Sequence, residues 1–381
     1  MKNIIYYMKK FGDRTLDEIP FNEVDSLILC QLSYLNYENL VPGLDELDED
    51  ILFSELIEED MMIIKLCQGT FDVQLNRKLL KLIRKKERFK NLRLNYYHRK
   101  FNPRALKQFC GVTFILDRYA HVTYQGTDPS MIGWKEDFMM SILDEIPAQF
   151  EAVKYLEEVA KIYHGPLFVG GHSKGGNLAY YAVLKCKPHI RERIMRVFNF
   201  DGPGFKTNDI YHTEAYYEIK SRMIKVVPKD TIVGLLMHHN DAHMVVECYG
   251  AHFLQHDVFT WKINKIGHLN FLSSTSIKYK VFDKASTEWM ESIKDDDRKH
   301  FTETFFTLLG AMGNVSVLDA IKHPFTYWKT VRRKYKKMSV EDRKFLLDIF
   351  NSYGKISKRI RKEFKERKKK LRELKRLNKD F

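Results

Sequence analysis

The chain has 381 residues, 44% of them hydrophobic and 13% aromatic, enough for a large core, and one α/β domain with additions is the natural expectation. No apolar run approaches the length of a membrane span, and the apolar centre of the first ten residues is too short for a signal peptide and is cut by Lys9-Lys10. The five cysteines are scattered, odd in number and without metal spacing, which predicts reduced thiols, no metal, no cofactor and a cytoplasmic protein.

Residues 1–20 are weakly patterned and are expected to form an irregular arm. Val24, Leu27, Ile28, Gln31, Leu32 and Leu35 then recur at helical spacing, so 21–35 reads as an amphipathic helix. Residues 43–60 are acidic and read as a solvated face or loop, and 75–91 are basic and helical, so the two could pair. Residues 92–98, 111–116 and 119–124 alternate like strands, the last two separated by Asp117-Arg118 at hairpin spacing. Pro147 opens a long amphipathic helix that closes near Gly165-Pro166. Short apolar strands are expected at 167–169, at 197–201, and at 221–230, where the last runs out at Pro228. The apolar, Met-rich stretch 231–246, interrupted by His238, His239 and His243, reads as a mobile covering element.

From about Thr287 onward the pattern is helical. Phe301, Phe305, Phe306, Leu308, Leu309 and Met312 line one helix, and Ser339 and Asp342 are capping-box partners at the start of another over 339–352. Gly354 is expected to break the chain before a basic helix over 355–377. That helix has a thin apolar stripe of Ile356, Ile360, Phe364, Leu371, Leu374 and Leu377. Residues 355–381 carry fourteen Lys/Arg against four Asp/Glu, so most of the net charge of +14 belongs to this tail.

The chain turns on Gly171-His172-Ser173-Lys174-Gly175, which matches G-x-S-x-G between a short apolar strand and the breaker-free run 178–184. Strand, sharp turn and helix is the context that lifts a serine hydroxyl to the carboxyl edge of a sheet. The bland alternative is a glycine-rich turn whose serine only caps the helix. A phosphate-binding loop is disfavoured, because no G-x-x-x-x-G-K-[ST] occurs.

A nucleophilic serine needs a base, a group to orient that base, and oxyanion donors. The acid should end a strand after the nucleophile. Asp230 does so and is favoured, and Asp201, which also ends a strand, is the rival. His238, His239 and His243 lie too close to Asp230 to serve as base. His256, flanked by Gln255 and Asp257, is chosen, with His252 in reserve. Lys174 supplies one oxyanion N–H. Thr127, after strand 119–124, is expected to supply the second, through its N–H and its hydroxyl.

Four blocks carry a resemblance. Tyr124-Gln125-Gly126-Thr127-Asp128 with Trp134 and Asp137 resembles the F-R-G-[ST] block and its downstream W and D in class 3 (fungal-type) lipases. Gly171 to Ala179 is similar to their G-H-S-L-G-G-A-L-A elbow, Phe200 to Gly204 to their F-G-x-P-R block, and Val226 to Val233 to the block ending D-x-V-P. The order is right over about residues 20–270, and the elbow also resembles that of bacterial lipase-like proteins carrying G-H-S-K-G-G-N. Lys174 and Asn177 depart from the lipase pattern, and the histidine block matches least.

The resemblance implies an α/β-hydrolase fold, expected to span 1–285, and the helical pattern that follows is expected to form a C-terminal extension over 286–381. The resemblance also implies a serine ester hydrolase with Ser173 as nucleophile, Asp230 as acid and Thr127 as oxyanion donor. Acyl esters or lipids are the expected substrates, and the basic tail is expected to touch anionic membrane at its surface. Nucleic acid is disfavoured, because the tail lacks interleaved aromatic residues. The competing class is a catalytically silent protein of the same fold that binds or scaffolds.

Overall fold

A computed structural model describes residues 1–46, 49–102, 104, 107–128, 131–239, 243–309 and 324–377. The chain forms two compact units, Met1–Ser274 and Thr275–Phe381. The division falls ahead of the helix Ile277–Ser292, whereas the sequence suggested 285/286, inside that helix.

The first unit is built on one mixed sheet whose described strands follow sequence order: β1 (Ile51–Leu52), β2 (Arg93–Asn102), β3 (Lys107–Leu116), β4 (Tyr119–Tyr124), β5 (Leu167–His172), β6 (Ile194–Phe200), β7 (Met223–Pro228), β8 (His243–Val246) and β9 (Phe271–Leu272). Neighbours from β1 to β4 pair antiparallel, those from β4 to β8 pair parallel, and β9 closes the far edge antiparallel. The β3–β4 hairpin turns at Asp117-Arg118, and Leu116 pairs with Tyr119 as the spacing predicts.

Parallel strands laid down in one direction carry their right-handed crossovers to a single face. Helix α1 (Ile4–Phe11), α2 (Glu23–Leu32), α3 (Val73–Ile83), α4 (Met131–Met139), α5 (Pro147–Ile162) and α6 (Lys174–Lys185) divide accordingly. Ala152, Leu156 and Val159 of α5 and Leu178, Ala182 and Val183 of α6 bury one face with Val122, Val169 and Val197. The opposite face carries Phe114, Phe198, Phe200 and Val226, and α1, α2 and α3 cover it together with Val258, Phe259 and Trp261. Residues 1–20 are therefore no arm. Ile4, Tyr7 and Met8 are buried, and Asn3 caps α1 through its side chain.

One other expectation changes. Within 231–246, Val233–Leu235 is a short turn of 3₁₀ helix and His243–Val246 is a sheet strand beside β7, not part of a loose cover.

The second unit is helical: α7 (Ile277–Ser292), α8 (Asp295–Leu309), α9 (Pro324–Lys337) and α10 (Val340–Leu377). Met312 lies outside the described residues. The cap expected at Ser339 is present, its hydroxyl accepting from Asp342 N–H at 2.9 Å. The break at Gly354 is absent, and α10 runs through it. A helical glycine costs only about 1 kcal/mol, and the stripe beyond it is anchored. Ile360 is buried with Val281 and Ala285 of α7, with Ile356 and Phe364 packed alongside. Half of the thin stripe is thus already covered within this unit. Leu371, Leu374 and Leu377 have side chains outside the described set. Among the described residues no helix is long and apolar enough to cross a membrane.

Candidate active site

Ser173 sits between β5 and α6 with φ +58° and ψ −133°, a backbone state that non-glycine residues avoid. The neighbouring glycines make the turn sterically feasible. A Cβ on Gly171 would lie 2.2 Å from the Gly175 carbonyl group, and one on Gly175 would lie 2.1 Å from Tyr124 O. The strand-turn-helix context expected from the motif is present.

Register fixes what lies beside the serine. His172 pairs with Phe200 across β5 and β6, so Ser173 and Asp201 leave adjacent strands side by side at their carboxyl ends. Ser173 N–H donates to Phe200 O at 2.9 Å, and Asp201 N–H to Val226 O at 2.8 Å. Asp201 is fully buried. Its Oδ2 lies 2.6 Å from His256 Nδ1, and its Oδ1 accepts from the Thr231 hydroxyl and, at 3.1 Å, from Gly234 N–H.

Asp201, the rival in the sequence, is thus the carboxylate bonded to His256. Asp230 was favoured, but it does not hold His256. It exchanges two hydrogen bonds with Gln255, from Asp230 N–H to Oε1 at 2.9 Å and from Nε2 to Asp230 Oδ2 at 3.3 Å. The physical reason is register. Asp201 ends β6, directly beside β5, whereas Asp230 lies past the end of β7, one strand further away. Asp230 instead steadies the residue before His256. Trp261, fully buried, adds a second pin through Nε1–H to Gln255 O at 2.9 Å.

His256 is held from a third side. His172 Nε2 lies 2.9 Å from His256 O, and the two rings are 4.6 Å apart. Burial, then the nearby His256, push the His172 imidazole well below its ordinary value. The ring is therefore neutral, with Nε2–H donating to His256 and Nδ1 accepting from the Tyr34 hydroxyl at 3.0 Å. His252 belongs to the 3₁₀ turn His252–His256, and its side chain lies outside the described set. His268 faces Glu23.

The loop after β4, expected from the sequence to supply an oxyanion donor, lies against Ser173. A Cβ on Gly126 would meet Ser173 Cβ at 3.0 Å, His172 O at 2.6 Å and the Tyr34 hydroxyl at 2.1 Å. Thr127 follows it and is buried. Its hydroxyl donates to Asp137 Oδ2 at 2.5 Å, so with Asp137 ionised that hydrogen is already engaged and the N–H is the group left for an oxyanion. Burial pushes the Asp137 carboxyl up to about 6, against the lowering pull of Lys174. The side chain of Trp134, the other half of that sequence block, lies outside the described set.

The two departures from the lipase pattern both point inward. Asn177 is fully buried, donates to Gly204 O at 2.8 Å and accepts from Gln149 Nε2 at 2.9 Å. It ties the turn after Asp201 to α5 and α6. Lys174 is buried too, and its ammonium reaches Gln108 and Glu136. No local signal marks Tyr34, Gln108 or Glu136, because each meets the elbow across 38 or more residues.

A mixed sheet flanked by helices, with a strained serine at the strand-to-helix elbow, defines a chain of the α/β-hydrolase fold. The Mbeg1-like family model matches residues 83–307, more than half of the chain, and the chain belongs to the Mbeg1-like family. No relative among the curated proteins matches it. Among solved structures it is distantly similar to the native Rhizomucor miehei lipase propeptide complex, at 14% identity, with 42% of this chain and 58% of that one covered and a TM-score of 0.31. A deletion mutant of the same complex aligns at 12% identity, over 65% of this chain and 80% of that one, with a TM-score of 0.34. The chain thus spans less than two thirds of the first of these structures.

Proposed function

We propose that the protein is a serine hydrolase of carboxylic esters. Ser173 Oγ adds to the ester carbonyl carbon while His256 Nε2 takes its proton, and Asp201 holds the imidazole by Nδ1. The backbone N–H groups of Thr127 and Lys174 receive the developing oxyanion. Collapse expels the alcohol, which takes the proton back from His256. Water, activated by the same ring, then releases the acid from the acyl-enzyme. The observation that carries this reading is the positive-φ Ser173 at the end of β5, beside the end of β6, whose buried Asp201 bonds the partly buried His256. Lipid esters are the substrate class that the sequence resemblance favours, and the basic face of α10 would hold the enzyme near anionic phospholipid.

A fluorophosphonate probe tests the reading. Intact protein should gain one adduct, and Ser173→Ala none. An unreactive wild type, or labelling that survives Ser173→Ala, refutes it and leaves a binding or scaffolding role for this fold.

A further inference from the structure

The side chain of Lys174 occupies an unusual place. It belongs to the residue after the nucleophile, yet it points into the protein, and both it and Glu136 are 1% exposed. Its ammonium has three hydrogens and meets three acceptors: Gln108 Oε1 at 2.6 Å, Gln108 O at 2.8 Å and Glu136 Oε2 at 2.8 Å. Glu136 Oε2 also accepts from Gln108 N–H at 3.1 Å. Gln108 in turn donates through Nε2 to Gly126 O at 3.4 Å. Helix α4 packs over this arrangement: a Cβ on Gly133 would lie 2.8 Å from Thr127 Cγ2 and 3.2 Å from Gln108 Oε1.

The last link has a geometric consequence. Gly126 C=O and Thr127 N–H belong to one peptide group. That group is planar and trans, so the two bonds point in opposite directions. Drawing the carbonyl toward Gln108 aims the Thr127 N–H away from it. The other proposed donor is the N–H of Lys174 itself. One ammonium therefore fixes both donors, its own through the covalent frame and the second through Gln108. A buried ion pair adds little net stability over apolar groups of equal volume. What three saturated hydrogen bonds add is a single direction.

Resting on the hydrolase reading above, we propose that the Lys174 side chain, with Gln108 and Glu136, is a positioning device that sets the oxyanion donors, and that its charge plays no part in contacting substrate.

Two variants test this. Gln108→Leu cuts the tether to Gly126 and keeps the Lys174–Glu136 pair. The paired change Lys174→Met with Glu136→Leu removes the whole device without leaving an unpaired buried charge. Hydrolysis of p-nitrophenyl butyrate, inhibition by an alkyl boronic acid and thermal melting are measured on wild type and both variants. Loss of one well-aimed oxyanion donor costs about 100-fold or more in kcat, so a loosened one should cost about 10–100-fold. KM should stay within about threefold, and boronate affinity should fall by the same factor as kcat/KM. Folded variants with wild-type kcat, or a rate loss accounted for by unfolded protein, overturn the proposal. If the paired variant does not fold, Gln108→Leu decides alone. A wild type that neither hydrolyses the ester nor takes the fluorophosphonate overturns the hydrolase reading and this inference with it. A reactive wild type beside an equally reactive Gln108→Leu overturns this inference only.

Discussion

His256 Nδ1 and Asp201 Oδ2 lie 2.6 Å apart, and the carboxylate that holds the ring ends the strand next to the one that leads into Ser173. Asp201→Asn should therefore lower kcat for a soluble ester by about 10³–10⁴, because the amide no longer holds the ring as a carboxylate does. Asp230→Asn should cost less than about tenfold, since that residue acts only through Gln255. Steady-state kinetics on the two variants check this, and the reverse ranking would restore Asp230 as the acid.

Tyr34 donates to the buried Nδ1 of His172. Tyr34→Phe leaves that acceptor without its partner, at a cost of about 1–3 kcal/mol. Urea unfolding should show a loss in this range. Because His172 also braces the His256 backbone, kcat should fall while KM holds. A variant with unchanged stability would mean that the Tyr34–His172 contact carries no weight.

Two buried groups should give opposite pH responses. Burial pushes His121 down to about 3, where it sits between Ser26 and Thr123. Its folded value is below the unfolded one, so its stability contribution is present above about pH 6.5 and is lost as pH falls, at about 1.4 kcal/mol per unit. Asp137 is raised instead, to about 6. Its contribution is present below about pH 4 and is lost as pH rises through about 6. Replacing Asp137 with Asn removes that acid-side gain. The stability of the variant relative to wild type should fall by roughly 2 kcal/mol between pH 7 and pH 4. Urea titrations at both pH values measure it, and a constant difference would contradict the raised carboxyl.

The tail is best cut beyond Phe364. Truncation after Arg367 removes seven Lys/Arg and two Asp/Glu while keeping Ile360 packed on Val281 and Ala285. Each basic residue near an anionic surface contributes about 1 kcal/mol, screened within a Debye length. Binding to phosphatidylserine vesicles at low salt should fall by at least about tenfold, and high salt should release the full-length chain. Hydrolysis of a short soluble ester should persist. A truncated chain that binds vesicles as well as the full-length one would end the membrane reading.

The sequence alone determined the features whose causes are local. The elbow was legible because strand, glycine-flanked turn and helix are written in one continuous stretch, residues 167–184, and the β3–β4 hairpin because its two-residue turn is local. The tertiary structure decided everything that depended on which ends of distant segments meet. Asp201 and Asp230 look alike as strand ends, and strand order together with the 250–261 loop decided which of them meets His256. Lys174 departs from the lipase pattern in sequence, but only the fold shows its side chain buried against Glu136 of α4. The N-terminal residues carry too short a pattern to announce α1, which forms because one sheet face needs cover. Gly354 looked like a stop, and the packing of Ile360 on α7 outweighed its small helical penalty. In each case a weak local preference yielded to apolar burial or a buried polar contact, whose energies depend on partners far away in the chain.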